Sequence, residues 1–177
     1  MEYAIEFGPQ VTLPVAESNK RFPVGRIYCV GRNYAEHARE MGHDPDREPP
    51  FFFMKPADAI VQNGSTIAYP QMTKDLHHEI EMVVAIGKAS GRLDARHALD
   101  VVFGYAVGLD MTRRDLQNDM REKKRPWDVG KSFAEAAPIG PVHPVAAVGH
   151  PAQGRIWLDV NGTTRQQGDL AELIWDV

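Results

Sequence analysis

The sequence predicts a mixed domain of strands and short helices, with strands in the majority. Three observations carry this prediction: about six short apolar or alternating segments, about four stretches with helical spacing, and one strong hairpin signal. The hairpin combines residues 156–160 and 163–165 with Asn161-Gly162 between them. This dipeptide favours the positive φ angles of a tight hairpin turn. The 177 residues are enough for one domain with a sizeable core.

Short strands and one helix are expected in the first part of the chain. Residues 1–24 form a lead-in, and residues 26–31 and 51–54 are compact apolar runs typical of strands. Pro56 ends the second run. Between the runs, Asn33 can cap a helix over residues 34–41, because its side chain can accept hydrogen bonds from free backbone N–H groups.

In the middle of the chain, Asn63-Gly64 predicts a turn. A longer strand is expected over residues 76–86 and another over residues 105–110, which ends in a carboxylate. Residues 94–102 and the polar, charge-rich residues 112–123 are expected to be helical.

The last residues carry an unfinished helical pattern. Asp169 can cap a helix whose apolar positions have helical spacing, namely Leu170, Leu173, Ile174 and Val177. The chain stops within this pattern, without a capping glycine or a polar tail. We therefore expect that downstream sequence is missing.

Composition narrows the class of protein. Hydrophobic residues make up 43% and charged residues 25%, as in ordinary water-soluble domains. The net charge of −4 argues against general attraction to nucleic acid. Cys29 is the single cysteine, so an intrachain disulfide is excluded, and we interpret it as a small core residue. No long apolar segment or basic leader is present, and we expect a cytoplasmic protein without membrane contact.

The acidic pair Glu79 and Glu81 suggests a metal site. On a strand, alternate side chains share a face, so the two carboxylates would repel each other unless a cation lay between them. Asp110, at the end of the next apolar strand, can supply a third oxygen ligand for Mg²⁺ or Mn²⁺. Taken alone, the pair is more typical of the solvent face of an edge strand, and Asp110 can equally cap the helix that follows.

Two histidines precede the glutamates. Alternation places His77 on the face of Glu79 and His78 on the opposite face. Either can bind a metal, but three carboxylates already satisfy a hard cation. We favour supporting or structural roles for both.

His37 and Glu40 are candidate acid–base residues. They stand three positions apart on the predicted helix 34–41 and would be neighbours there. A carboxylate beside an imidazole orients it and raises its basicity, as removal of a proton from water requires. Such pairs are also common on solvated helix surfaces, and spacing alone favours that interpretation.

Three further polar residues can contact an anionic ligand. Lys131 stands between a glycine and an apolar segment, so it can reach into a pocket. Arg114 and Gln117 lie one helical turn apart, shortly after Asp110. Lys131 is more commonly a solvated loop residue, and Arg114 and Gln117 can instead simply face solvent.

Five segments in order resemble the fumarylacetoacetate hydrolase family. They are Tyr28-Cys29-Val30-Gly31-Arg32-Asn33-Tyr34, Phe53-Met54-Lys55-Pro56, His77-His78-Glu79-Ile80-Glu81, residues 108–117 and Gly130-Lys131-Ser132-Phe133. Residues 47–58 look most like bacterial members of the family that act on fumarylpyruvate in gentisate breakdown.

This resemblance implies an α+β fold with β-rich mixed sheets and short helices outside, in which residues 25–177 form a catalytic domain. It implies Mg²⁺ or Mn²⁺ at Glu79, Glu81 and Asp110, and a water-activating dyad of His37 and Glu40. It gives substrate-anchoring roles to Arg114, Gln117 and Lys131, with Lys131 also acting in catalysis. A homodimer is expected.

The implied reaction is metal-dependent hydrolysis of a carbon–carbon bond in an acylpyruvate, a 2,4-diketo acid. Decarboxylation or isomerisation of oxaloacetate or a related 2-oxo diacid would use the same residues. The family's Thr-Gly-Thr-Pro motif has no match in the sequence, so a truncated, non-catalytic metal-binding fragment is the third alternative.

Overall fold

A central five-stranded mixed sheet organises the structure, a computed structural model that describes residues 4–6, 8–34 and 49–177. The strands of these residues are β1 (Thr12–Pro14), β2 (Arg21–Pro23), β3 (Ile27–Gly31), β4 (Phe51–Lys55), β5 (Ile60–Gln62), β6 (Leu76–His77), β7 (Ile80–Ile86), β8 (Val102–Leu109), β9 (Thr112–Arg113), β10 (Ala137–Ile139), β11 (His143–Pro144), β12 (Arg155–Val160) and β13 (Thr163–Asp169). Their helices are α1 (Arg114–Glu122), α2 (Asp128–Lys131) and α3 (Val145–Val148), with 3-10 helices at Ala57–Ala59, Ala95–Val101 and Leu170–Glu172. This mixture confirms the predicted α+β class.

Strand β8 is the centre of the main sheet. It pairs antiparallel with β7 along one edge and with β10 and β11 along the other. Strand β5 then adds to β10 in parallel, which makes the sheet mixed. Strand β8 is hydrogen-bonded on both edges. The backbone of Asp110, the residue that follows it, is therefore held in place at one end.

The core lies against the face of β7 and β8 that carries Ala85 and Ala106, both 5% exposed. Small residues on this face let neighbouring segments approach closely. A Cβ at Gly104 would lie only 2.3 Å from the carbonyl oxygen of His143 in β11. The core is completed from the surrounding segments by residues that include Leu13, Ala59, Ile139 and Val142.

Strands β3 and β4 form a separate antiparallel pair with two distinct faces. Phe52 and Met54 point outward and are 61% and 42% exposed. Phe51, Phe53 and Lys55 occupy the opposite row, and Lys55 is only 2% exposed. Alternation along an apolar strand therefore delivers a charged side chain to the interior.

The hairpin prediction is confirmed. Strands β12 and β13 pair antiparallel, and the turn residues Asn161 and Gly162 have φ of 52° and 76°. The turn at Asn63-Gly64 is also present, with Gly64 at φ of 83°. Both turns use residues that tolerate positive φ.

Other predictions hold with shifted boundaries. Asp94 caps the 3-10 helix Ala95–Val101, where an ordinary helix was expected over 94–102. The helix expected over 112–123 begins at Arg114, because Thr112 and Arg113 pair with β6. The strand expected over 105–110 is the second half of β8.

The single strand expected over 76–86 is wrong. The segment breaks at His78 and Glu79, so that β6 pairs with β9 whereas β7 pairs with β8. The change of partner needs a non-strand connection, and Glu79 lies in it. Simple alternation between Glu79 and Glu81 therefore does not describe their geometry.

The side chain of Asn33 bonds a residue far along the chain. Its side chain accepts a hydrogen bond from the backbone N–H of Trp175 at 2.8 Å and donates one to the Trp175 carbonyl at 2.9 Å. Tyr34 forms an isolated bridge with Leu173. The rest of the predicted helix, residues 35–41, lies outside the described residues.

The C-terminal helix expected after Asp169 is limited to one short turn. Asp169 does cap it, with a capping box to Glu172, but the 3-10 helix ends at Glu172. The backbone N–H of Ile174 then bonds the carbonyl of Asn33 at 2.8 Å. Pairing with this segment takes the place of further helical turns.

No helix of the described residues is long and apolar enough to cross a membrane.

Candidate active site

A cleft of about 830 Å³ opens beside the ends of β7 and β8. The first residues of β7, the residue after β8, and helices α1 and α2 line one side of it. Strand β13 lines another side, and its Gln166 accepts a hydrogen bond from the backbone N–H of Ile80 at 2.7 Å. The hairpin is thus attached between Glu79 and Glu81.

The main chain brings the three predicted acidic residues to this cleft. The backbone N–H of Asp110 donates to the carbonyl of Glu79 at 2.8 Å. Glu81 lies opposite Gly108 in the β7–β8 register, two residues before Asp110. All three line the cleft.

Lys131 joins two of these carboxylates. Its Nζ lies 2.7 Å from an oxygen of Glu79, 2.7 Å from an oxygen of Asp110 and 2.7 Å from the Thr112 hydroxyl. The side chain is 2% exposed. The space between Glu79 and Asp110 therefore accommodates a positive charge.

Arg114, the first residue of α1, contacts the other oxygen of Glu79 and donates to the Gln117 side chain at 2.7 Å. Its own backbone N–H is fixed by the carbonyl of Asp75 at 2.8 Å. Burial acts to raise the pKa of Glu79, but the charges of Lys131 and Arg114 outweigh it and hold that pKa below its usual range.

Glu81 is the acidic residue of the cluster that lacks a counter-charge of its own. It makes no ion pair with another residue in the described ranges. Burial, followed by the charges of Glu79 and Asp110, raises the pKa of its carboxyl to about 8. Additional positive charge at this position would stabilise its ionised form.

Within residues 4–6, 8–34 and 49–177, no group of three or more His, Cys, Asp or Glu side chains is placed closely enough to hold a metal ion. Glu79 and Asp110 instead direct oxygens to lysine and arginine nitrogens. The donor types do fit a hard cation, since three carboxylates meet in one cleft and Glu81 lacks a cationic partner there. Binding would require these side chains to turn from the ammonium toward the ion.

The supporting role expected for His77 agrees with its contacts. Its Nε2 lies 2.9 Å from a carboxylate oxygen of Asp75, and its Nδ1 accepts from Arg114 Nε at 3.4 Å. The ring thus links Asp75 to the arginine. His78 has a buried Nδ1 without a hydrogen-bond partner among the described atoms.

Lys55 is a residue of this region that the sequence analysis missed. Its Nζ lies 2.8 Å from Asp110 Oδ1. Burial lowers the pKa of Lys55, whereas the neighbouring Asp110 charge acts in the opposite direction. The signal was present, because Lys55 shares the inward row of β4 with Phe51 and Phe53.

His37 and Glu40, the predicted water-activating dyad, lie in residues 35–48, outside the described residues. Their roles stay predictions.

Two strands thus bring acidic residues to one cleft, and a lysine and an arginine form ion pairs with these acids. Residues 26–177 match the family model described as fumarylacetoacetate (FAA) hydrolase C-terminal. The chain belongs to the fumarylacetoacetate hydrolase family.

Individual relatives are of two kinds. A solved fumarylpyruvate hydrolase from Pseudomonas aeruginosa, in complex with Mn²⁺ and pyruvate, is 54% identical with a TM-score of 0.94, over 99% of this chain and 77% of that one. A putative fumarylpyruvate hydrolase from Burkholderia cenocepacia is 55% identical with a TM-score of 0.92, over 100% and 76%. Human mitochondrial oxaloacetate tautomerase FAHD1 is 41% identical over 151 residues, which are 85% of this chain and 68% of that protein.

Proposed function

We propose that this chain is the catalytic domain of a divalent-metal-dependent acylpyruvate hydrolase that converts fumarylpyruvate and water to fumarate and pyruvate. The observation that carries the proposal is the likeness, at 54% identity over 99% of the chain, to a fumarylpyruvate hydrolase solved with Mn²⁺ and pyruvate. The acidic cluster and its cationic neighbours in one cleft support it. On this substrate the enzyme would serve gentisate catabolism in the cytoplasm.

We propose Glu79, Glu81 and Asp110 as the residues that hold Mn²⁺ or Mg²⁺. When bound, the ion supplies Lewis acidity that stabilises negative charge on the substrate's carboxylate and keto oxygens. Two observations support this assignment. Glu81 has no cationic partner among the described residues, and the Lys131 ammonium lies between Glu79 and Asp110. Both indicate that a positive charge is favourable at this position.

The substrate's carboxylate end would be bound by cationic and amide side chains of α1 and α2. Arg114 and Gln117 already contact each other at 2.7 Å, which gives a paired set of donors for carboxylate or carbonyl oxygens. Lys131 Nζ donates to three acceptors, two of which are carboxylates that would turn toward the bound ion. The N–H groups released in this way would stabilise the substrate oxygen on which negative charge develops.

Bond cleavage needs a hydroxide equivalent. His37, oriented by Glu40, would take a proton from water, and the resulting hydroxide would attack the carbonyl carbon of the fumaryl group. The carbon–carbon bond to the pyruvyl methylene would break, and its electron pair would leave as pyruvate enolate. A proton returned to this carbon completes pyruvate, and fumarate carries the added oxygen.

Oxaloacetate tautomerisation is a second candidate function. Its specific support is the 41% identity to human oxaloacetate tautomerase FAHD1 over 85% of the chain. This reaction moves a proton between carbon and oxygen and breaks no carbon–carbon bond. The two candidates would share the proposed metal and Lys131, so substrate profile distinguishes them.

The deciding experiment measures pyruvate release from fumarylpyruvate by the chain as purified, after EDTA, and after Mn²⁺ is added back. We expect release that EDTA abolishes and Mn²⁺ restores. Glu79→Gln should remove it, whereas Glu122→Gln, which changes an exposed acid at the end of helix α1, should not. Interconversion of oxaloacetate tautomers without pyruvate release would favour the second candidate, and Mn²⁺ binding without either activity would favour a non-catalytic fragment.

We also propose a homodimer, as the family resemblance implies. Light scattering of the purified chain would give twice the mass of 19.8 kDa.

A further inference from the structure

Lys55 is a fully enclosed charged residue that the proposed reaction does not use. It is the last residue of β4, is 2% exposed and does not line the cleft. A lysine is rarely enclosed in this way unless specific partners stabilise it. Its partners therefore indicate what it does.

Three oxygens surround the Lys55 ammonium. Its Nζ donates to the main-chain carbonyls of Met111, at 3.0 Å, and of Lys131. The third neighbour is Asp110 Oδ1, 2.8 Å away. This contact is an ion pair and not a hydrogen bond. Asp110 Oδ1 is buried and accepts no hydrogen bond from the described residues. Two hydrogen-bond acceptors and one carboxylate charge therefore stabilise the enclosed ammonium.

The two oxygens of Asp110 thus face two different lysines. Oδ1 lies against Lys55, behind the cleft wall, and Oδ2 lies 2.7 Å from Lys131, which lines the cleft. With Oδ1 held from behind, the carboxylate plane is fixed and Oδ2 is the oxygen presented to the cleft. The hydrogen bond to the Lys131 carbonyl fixes the base of the second lysine as well.

We propose that Lys55 is a positioning residue, which holds Asp110 with one oxygen toward the cleft and anchors the backbone of Lys131. This proposal rests on the proposed function, in which Asp110 holds a divalent ion. Residues that orient a metal ligand in this way typically change metal affinity or activity by about 10–100-fold when replaced.

Competing explanations for Lys55 predict different changes in Mn²⁺ affinity when the residue is replaced. If Lys55 acted only as a positive charge near the ion, its removal would strengthen Mn²⁺ binding by relieving repulsion. If Lys55 only supported the fold, its replacement would affect Mn²⁺ binding no more than the replacement of another core residue does. A positioning role alone predicts weaker Mn²⁺ binding by a chain that is still folded.

The test compares Mn²⁺ dissociation constants, from the electron paramagnetic resonance of free Mn²⁺, for wild type, Lys55→Met, Lys55→Arg and Val142→Ala. Methionine keeps the length and apolar stem of the side chain without its charge. Val142 is fully buried in the core and serves as the control for general destabilisation. Circular dichroism establishes that each variant is folded.

We expect Lys55→Met to weaken Mn²⁺ binding at least tenfold, Lys55→Arg to recover part of the loss, and Val142→Ala to bind as wild type does. Equal or tighter binding by Lys55→Met overturns the proposal, as does an equal loss in Val142→Ala. If Lys55→Met does not fold, Lys55→Arg decides, since wild-type affinity in this charge-conserving variant would exclude a geometric role.

The two proposals fail separately. A wild-type chain that binds Mn²⁺ but releases no pyruvate overturns the proposed function and leaves the Lys55 comparison intact. Wild-type affinity in the Lys55 variants, with normal pyruvate release by wild type, overturns only the role of Lys55.

Discussion

The backbone N–H of Asp110 donates a hydrogen bond to the backbone carbonyl of Glu79 at 2.8 Å. Residues 31 positions apart are thereby joined through main-chain atoms, and their carboxylates meet at one end of the cleft. Replacing either carboxylate with an amide leaves this bond in place. Isosteric variants at these positions therefore test the chemistry of the site with little disturbance of the fold.

Glu81→Gln is expected to stabilise the metal-free protein. Because its pKa is raised to about 8 in the folded chain, Glu81 takes up a proton at neutral pH when the chain folds, which costs free energy. Glutamine is neutral in both states and avoids this cost. We expect a gain of about 1 kcal/mol, which is roughly 2–4 °C in Tm for a chain of this size. Thermal unfolding in EDTA at neutral pH measures it. An unchanged or lower Tm would contradict the prediction, because it would show that the Glu81 carboxyl does not destabilise the folded chain.

Lys131→Met is expected to destabilise the metal-free protein strongly. It leaves Glu79 and Asp110 without the ammonium between them, and loss of one partner of a buried ion pair costs about 3–5 kcal/mol. Urea unfolding in EDTA should show this loss, and added Mn²⁺ should restore part of it. Lys123→Met, which removes an exposed lysine paired with Asp119, is the matched control and should change stability by less than about 1 kcal/mol.

Arg114→Lys is expected to lower kcat/KM for fumarylpyruvate at least about tenfold. The guanidinium contacts Glu79 and Gln117 at the same time, and a lysine ammonium cannot reproduce this fork. Steady-state kinetics at saturating Mn²⁺ measure the effect. Arg96→Lys makes the same exchange at an exposed pair with Asp94 and should stay within about twofold of wild type.

Gly130→Ala is expected to disturb Gln117 through packing. A Cβ on Gly130 would lie 2.9 Å from the backbone N of Gln117 and 3.0 Å from its Cα, and backbone atoms cannot move aside cheaply. We expect a loss of about 1–3 kcal/mol in unfolding free energy and a higher KM. Gly91→Ala, where an added Cβ meets nothing within 4 Å, should leave both unchanged.

Cys29 is expected to react slowly with iodoacetamide in the folded chain. Burial, followed by the charge of Asp110, raises the pKa of its thiol to about 12, so roughly one molecule in ten thousand carries a thiolate at pH 8. The alkylation rate should rise steadily as the pH increases toward 10 and become fast in urea. Rapid labelling of the folded chain with a midpoint near pH 8.5 would contradict the prediction.

Local patterns were sufficient where local forces decide the structure. Asn161-Gly162 predicted the hairpin, and Asp169 was recognised as a helix cap. Asn33 has the same capping chemistry, yet its side chain bonds Trp175, which is 142 positions away. A partner at that distance leaves no periodic signal in the sequence.

The same limit explains the site. The acids at Glu79, Glu81 and Asp110 could be recognised by residue type, and the family resemblance implied that they share one site. The break at His78 and Glu79 could not be predicted, because it depends on two different partner strands. Lys55 had a signal in the alternation of β4. Its contact with Asp110 could not be inferred, because β4 and β8 are not neighbours in a sheet.

The hydrogen bond from Ile80 to Gln166 attaches a late hairpin to the residue between two acids of the site. We therefore expect substitutions in that hairpin to alter the positions of the two acids without replacing either of them. If the proposed function holds, hairpin variants should change substrate preference while Glu79, Glu81 and Asp110 stay the same.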